Sequence, residues 1–562
     1  MAIMKPVGSK RFRLTLWGGL IFALLYVILG CGGDDNNDDS GSTPPAVEEV
    51  VKVSGTPTVG GLRSLDAYAW APDSSGIAYI AAQDSNSEEL YSSSPDGAAN
   101  NVKVSGSLTG GGNVDSFLWS PDLTVTNLIA YLADQHTVNV NELYTSTPAG
   151  QDNLKVSGML EAGGRVTVFY DWARSTTDPN PLVFMAAKDN PPTVELYVTS
   201  DNGQTTTKLS GSMVSGGNVT GFAISPDGSR VIYRADQETK GQFELYTVAV
   251  GGGTAINISR KSGTILEVKD FAWAPNSSRI AFRAFNPFTG NTGGNVELFT
   301  NLPTSNGLIT ASNFLPVGAD VDTFEWSPTS QLIAYTANTI VGSPRQFRLF
   351  AAPPNFENQA FSISNIPAAT NQYSIGEYQW SPNGSIVAFL ADINILGVNE
   401  LLVVEVSPST TSVPAAISGT LADGGEVREF AWSPNNTRIA YVADQYEDEK
   451  FELISVIPDV NSLNPRPDPR LVSTNIVGDV IDFAWSPDST RIAFIADGDT
   501  VGVFELYTNV PFGTSKFKVS GTLIPGGDVR SFAWAPDSSL IAYQANQDVA
   551  NIEELYVTLP FF

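Results

Sequence analysis

Cysteine and histidine are nearly absent from this 562-residue chain, which has one of each, Cys31 and His136. A single cysteine excludes an intramolecular disulfide. One cysteine with one histidine leaves no conventional zinc cluster and no paired Cys nucleophile. Cations are scarce as well: 31 Lys and Arg stand against 59 Asp and Glu, a formal charge of −28. That balance argues against nucleic acid as a partner, since a phosphate backbone needs clustered cations. It favours solubility and repels anionic lipid surfaces. No G-x-S-x-G elbow, phosphate-binding loop or dinucleotide fingerprint is found. No metal, no cofactor and no catalytic residue are therefore expected from motifs. Paired carboxylates, which suffice for glycoside cleavage, remain open in so acidic a chain.

What the chain has is repetition. The stretch Phe532–Tyr543, F-A-W-A-P-D-S-S-L-I-A-Y, returns at Tyr68–Tyr79, Phe271–Phe282, Phe430–Tyr441 and Phe483–Phe494. Trp marks it at Trp70, Trp119, Trp172, Trp273, Trp326, Trp380, Trp432, Trp485 and Trp534, and Ile224 takes the place of the fourth. Ten copies at a spacing of roughly 52 residues, with strand-like content, are the signature of propeller blades. Each unit offers four short apolar runs: A (F-A-W), B (I-A-Y), C (E-L-Y) and D (K-V-S-G). Gly, Pro, Asp and Ser separate them, as turns between strands require. Helical periodicity is absent beyond the N-terminus. The fold predicted is all-β, a β-propeller of about ten four-stranded blades over residues 50–562. Val51–Ser54 is a D strand without A, B or C before it, and Leu555–Val557 is a C strand without a D after it. The first strand can complete the last blade and hide its edge. One ring is favoured; two tandem five-bladed rings balance equally well.

Residues 1–30 read as a secretory signal, with Lys5, Lys10, Arg11 and Arg13 ahead of the apolar Leu14–Leu29. Its end, Ile28-Leu29-Gly30-Cys31, resembles the bacterial lipoprotein box. The resemblance implies that Cys31 receives lipid and becomes the mature N-terminus. Removing the four leader cations takes the formal charge to −32. Residues 31–49 have almost nothing to bury and read as a disordered acidic tether. Gly32 follows the cysteine, where Asp would imply inner-membrane retention, so the resemblance points to the outer membrane. The location expected is the bacterial cell envelope.

The repeat W-[SA]-P-[DN]-x-x-x-[IV]-A-[YF], followed by E-L-Y, resembles the WD-repeat-like blades of TolB-like proteins over about residues 50–558. That likeness implies a periplasmic interaction propeller. The chain has more blades, longer repeats and a lipid anchor, and shows no counterpart of the separate N-terminal domain of TolB.

Asp-Gln recurs after strand B at Asp134-Gln135, Asp236-Gln237 and Asp444-Gln445, with Asn546-Gln547 related. These pairs should lie on one rim, where they either receive a peptide loop or cation, or serve the scaffold. In the scaffold reading, which is favoured, Asp caps the turn and Gln bonds the next blade. Glu precedes Leu-Tyr in most units and reads as scaffold; His136 reads as an exposed loop residue. Arg234 and Arg283 replace an otherwise uncharged residue after the B-strand aromatic. They either face a shared anion pocket or pair within their own blades, Arg234 with Glu244 and Arg283 with Glu297. The pairs are favoured. The function expected is a lipid-anchored envelope module whose rim holds a protein or envelope polymer. The alternative is a carbohydrate-active enzyme with two carboxylates in the propeller channel.

Overall fold

Four apolar runs per unit, each too short for a helix and each bounded by turn residues, fold as four antiparallel strands. The computed structural model describes residues 50–561 apart from 56–64, 66, 99–100, 122–126, 175–179, 201–202, 204, 262–263, 288–293, 306, 314, 317, 339–346, 366–373, 394, 409–412 and 461–467. The leader and tether, the long A–B turns of the second and third units, and most of Gly290–Gly294 and Pro458–Pro469 lie outside the described residues. Ten four-stranded sheets form a ten-bladed β-propeller. The ninth blade is representative: strand A is Val480–Trp485, B is Ile492–Ala496, C is Glu505–Asn509 and D is Phe517–Lys518. A two-stranded hairpin, Arg260–Lys261 with Thr264–Ile265, is added between the fourth and fifth blades.

Strand B is buried on both faces, as in Ile77–Ala81 and Ile439–Ala443, because each blade is covered by a neighbour on either side. Directly opposed aromatics of strands B and C stack: Tyr131 on Tyr144 at 5.3 Å and Tyr543 on Tyr556 at 5.3 Å between ring centroids. Their hydroxyls reach partners at the blade end, so a large apolar ring is buried without orphaning its polar tip.

The tryptophans join the blades. Apart from Trp432, each repeat indole N–H donates to the carbonyl of the residue before the equivalent position in the preceding blade, as Trp119 to Ala69 at 3.1 Å, Trp273 to Ala223 at 3.1 Å, Trp326 to Ala272 at 3.3 Å and Trp534 to Ala484 at 3.2 Å. The residue before the tryptophan is often alanine because the next blade's indole packs over it. Consecutive A strands therefore touch, and their edges line the central channel.

One ring is formed, and its closure repeats the same contacts. Val50–Lys52 pairs with Glu554–Thr558 and supplies the fourth strand of the tenth blade. Trp70 donates to Ala533 at 3.1 Å. The Asp537 amide donates to the Ser74 hydroxyl at 3.1 Å, just as Asp488 does to Ser538 at 3.0 Å. Lys52 pairs with Glu554, as Lys518 does with Glu505. Blades five and six are joined by a core holding Ala281, Leu298, Trp326 and Ile333, so no break separates two halves.

Because the strands alternate in direction, A–B and C–D turns share one face, and B–C and D–A connections share the other. Val50 lies opposite Thr558, the end of strand C. The chain thus enters the ring on the A–B face.

Candidate functional site

The Asp-Gln pairs lie on the B–C face, and their polar atoms are bound within the scaffold. The Asp236 carboxylate accepts from the Asn218 amide at 2.6 Å and the Gly241 amide at 2.8 Å. Asp134 accepts from Asn113 and, at 2.7 Å, from Asn139. Asp444 accepts from Glu426 at 2.5 Å and Glu449 at 3.2 Å. One carboxylate thus ties a D–A connection to a B–C loop. Gly241, Asn139 and Glu449 all have positive φ, so the carboxylate holds a left-handed residue that L side chains otherwise disfavour. Gln135, Gln237 and Gln445 accept from the tyrosine four residues earlier, at 2.8, 2.9 and 2.6 Å. Gln237 also accepts from the Gly211 amide of the preceding blade at 2.9 Å. The bond expected to the next blade goes backwards because each D strand ends beneath the following blade's B–C loop. A Cβ at Gly211 would meet Gln237 Nε2 at 2.4 Å, so a larger residue here would push the glutamine side chain out of its present place.

The pairings expected for the two arginines are corrected. Arg234 lies opposite Leu245, and Glu244 lies opposite Ala235; Arg283 lies opposite Leu298, and Glu297 opposite Ala284. One step along a strand turns a side chain to the other face, so neither glutamate meets its arginine. Arg283 instead pairs with Asp270, its neighbour on strand A, with Nε at 2.9 Å, and reaches the Val321 carbonyl at 3.1 Å. Arg234 faces Gly221, which offers no side chain. It donates to the Val268 carbonyl at 2.7 Å and to Thr220 at 2.9 Å, and lies 4.1 Å from the Phe243 ring. Each guanidinium reaches the blade that follows its own, so the two are held in successive interfaces. His136 is largely exposed and stacks on Tyr144, with Nδ1 2.6 Å from its hydroxyl. Glu89, Glu142, Glu195, Glu505 and Glu554 are buried between the tyrosine two residues on and a strand D lysine, as Glu195 is between Tyr197 at 3.1 Å and Lys208 at 2.8 Å.

The repeat breaks where the channel is lined. In strand A the residue before the tryptophan is alanine except in Leu118, Asp171, Glu325 and Gln379. Gln379 donates to the Phe430 carbonyl at 3.1 Å, and Trp432 is left without an acceptor. Burial, with Glu377 adding repulsion, pushes the Glu325 carboxyl up to about 8. Burial pushes Asp171 up to about 6 against one bond from the Trp172 amide. Asp171 faces the blade that carries Ile224, so the indole that meets this position elsewhere is missing. Its own strand, Arg165–Trp172, has three residues between Val166 and Tyr170 opposite Met185 alone. Sister strands have one extra residue, as at Lys269 between Val268 and Asp270. The larger bulge leaves Val168 63% and Phe169 53% exposed. The sequence signal was available: Val166 stands six residues before its tryptophan, whereas Val114 and Val529 stand five before theirs.

No family model and no curated protein matches this chain. Among solved structures it is similar to an oligogalacturonate lyase in complex with manganese, at 13% identity over 72% of this chain and 99% of that one, with a TM-score of 0.34. It is also similar to a eukaryotic initiation factor, at 12% identity over 81% and 96%, with a TM-score of 0.42, and to the tricorn protease, at 13% over 87% and 43%, with a TM-score of 0.28. Likeness at this level concerns the propeller fold alone.

On the B–C face a cleft of about 360 Å³ opens at the eighth blade, lined by Glu426, Asp448, Glu449 and Asp479 among others. Arg428 stacks over Phe451 at its wall, 3.1 Å from the ring centroid. Among the described residues no group of three or more His, Cys, Asp or Glu is placed to hold a metal ion. The same face carries exposed aliphatics: Met159 at 83%, Leu396 at 70%, Val501 at 74% and Val477 at 50%.

Proposed function

We propose that this propeller is a lipid-anchored binding module of the bacterial envelope, held through Cys31 and engaging a protein or envelope polymer with its B–C rim. The observation that carries this reading is the entry of the chain at Val50 on the opposite, A–B face. A tether from a lipid at Cys31 would then join the ring on the A–B face and leave the B–C rim clear of the attachment. Exposed aliphatics at that rim, such as Leu396 and Val501 on loops whose tips are held by Asp392 and Asp497, suit a partner surface better than solvent. The TolB-like subtype and an outer-membrane location belong to the same reading and rest on the motif resemblances.

Two measurements test it. Cys31→Ser is expected to release the protein from membranes or to block leader processing. Normal cleavage with full membrane retention would refute the anchor. A photo-crosslinker at Leu396 or Val501 is expected to capture one envelope component that a crosslinker at Ser539, on the A–B face, does not. Equal labelling from both faces would remove the rim from the reading.

A carbohydrate-active enzyme is the second reading, favoured by Glu325 and Glu377. A buried carboxyl held protonated at neutral pH, with a second acidic side chain near it, is an arrangement such chemistry uses. Loss of polysaccharide cleavage in both Glu325→Gln and Glu377→Gln would establish it.

A further inference from the structure

At the inner end of the interface between the third and fourth blades, three departures from the repeat coincide among the described residues, and the sequence adds a fourth. Ile224 replaces the indole that covers this position elsewhere. Asp171 replaces the usual alanine. An enlarged bulge exposes Phe169, two residues before Asp171. The A–B turn of the third blade also lacks Ser-Pro-Asp, reading Trp172-Ala173-Arg174-Ser175. Bulges re-aim side chains and are over-represented beside functional sites.

We propose that this notch in the channel wall binds a ring of a neutral saccharide. The apolar face of a pyranose would lie on Phe169, and its hydroxyls would donate to the Asp171 carboxylate. The chemistry follows from what the notch presents. Phe169 is 53% exposed, and an aromatic ring open to solvent beside a carboxylate suits a ligand that is apolar on one face and rich in hydroxyls at its edge. Asp171 Oδ1 accepts from the Trp172 amide at 2.8 Å, which leaves the second oxygen for a ligand. Arg234 is engaged by the Val268 carbonyl and the Phe243 ring. An acidic sugar would meet the Asp171 carboxylate in a chain of formal charge −28, with the exposed Arg174, three residues on, as the nearest cation in sequence. At pH 7 a carboxyl with a pKa of about 6 is chiefly ionised and accepts.

The test is calorimetric titration of the full-length protein with cellobiose, maltose and N,N′-diacetylchitobiose, with digalacturonate as the acidic control. At least one neutral disaccharide is expected to bind, and digalacturonate at least tenfold more weakly. Phe169→Ala is expected to weaken the bound sugar at least tenfold. Ile224→Trp, which restores the repeat and fills the notch, is expected to do the same while the melting temperature holds or rises. If Ile224→Trp does not fold, Phe169→Ala still decides, because truncating an exposed side chain leaves the core intact. Absence of binding by all three neutral sugars, or binding unchanged in Phe169→Ala, overturns the proposal. Neither result depends on Cys31 or on the rim.

Discussion

Two interfaces of this ring treat the same repeat in opposite ways. Between the tenth and first blades every repeated contact is present: the Trp70 indole on Ala533, the Asp537 amide on Ser74, Lys52 on Glu554, and a shared core of Val53, Trp70, Ile77, Leu555 and Val557. Between the third and fourth, the indole and the Ser-Pro-Asp turn are both missing. The difference is covalent. Successive blades stay adjacent because the chain joins them, so one such interface can lose contacts and remain closed. Strands A to C of the tenth blade have no such link, since Val50–Lys52, which the chain joins to the first blade, holds Glu554–Thr558 only non-covalently, and opening there releases a long loop with its entropy. The repeat is therefore complete where only non-covalent contacts hold the ring, and relaxed where the chain itself does.

The largest expected effect breaks the complete interface. A chain beginning at Gly60 loses strand Val50–Lys52, bares the edge of Glu554–Thr558 and removes Val53 from the core. Losing three paired residues and buried valine should cost several kcal/mol, since one buried Val side chain alone contributes about 1.5–3 kcal/mol. Aggregation through the open edge is expected too. Deleting 32–49 should leave the melting temperature unchanged. Equal melting of the two truncations would contradict non-covalent closure by this strand.

A second pair of substitutions measures how far the other interface has relaxed. Trp485 is buried and bonded to the Ala431 carbonyl at 3.1 Å. Trp485→Ala should cost about 3–5 kcal/mol. Ile224 is only partly buried, and Ile224→Ala should fall at or below about 2 kcal/mol, the low end for such truncations. Denaturant midpoints of the two variants decide. A larger loss at Ile224 would show that this interface is packed as tightly as the rest.

Much of this architecture was legible in the sequence, for reasons that also mark where legibility ended. Blade number, strand order and closure followed from a Trp-Ser-Pro-Asp pattern that recurs because every blade meets the same neighbours. The Asp-Gln rim was legible as a position. Its role required knowing that each D strand ends under the next blade, which is a contact between units and leaves no mark within one. The arginine partners were misassigned because Glu244 and Glu297 are close in register but project from the opposite face. The bulge at Val168–Phe169 was one residue of extra spacing, and its meaning depended on strand A lining the channel.

A pH series sharpens the contrast between ordinary and exceptional channel positions. Alanine at the residue before the tryptophan is indifferent to pH, whereas Glu325 is not. Its carboxyl moves from an ordinary 4.5 to about 8 on folding, through burial first and Glu377 second. The native state therefore holds a proton that the unfolded chain releases, so stability falls as pH rises from about 4.5 to 8 and levels off above that window. Glu325→Gln removes the penalty. Its melting advantage over the parent should be near zero at pH 4 and largest at pH 9. A difference that does not vary with pH would place Glu325 in solvent.

The smallest effect separates the closing contact from its copies elsewhere in the ring. Ser74 accepts from Asp537 across the closure, and Ser277 accepts from Asp227 at 3.0 Å across an interface joined by the chain. Both serines have φ of 61°, so alanine keeps the same backbone strain in either case and removes only the hydroxyl. Each loss should be about 0.5–1.5 kcal/mol at equilibrium. The rates should differ. If unfolding begins by parting the first and last blades, the Ser74 contact is already broken in the transition state and the Ser277 contact is still made. Ser74→Ala should then speed unfolding by roughly two- to tenfold, the full equilibrium loss, while Ser277→Ala should mainly slow refolding. Stopped-flow unfolding of the two variants at one denaturant concentration measures this directly. Equal unfolding rates would mean that the ring does not open first at its non-covalent junction, and that the completeness of that interface has another cause.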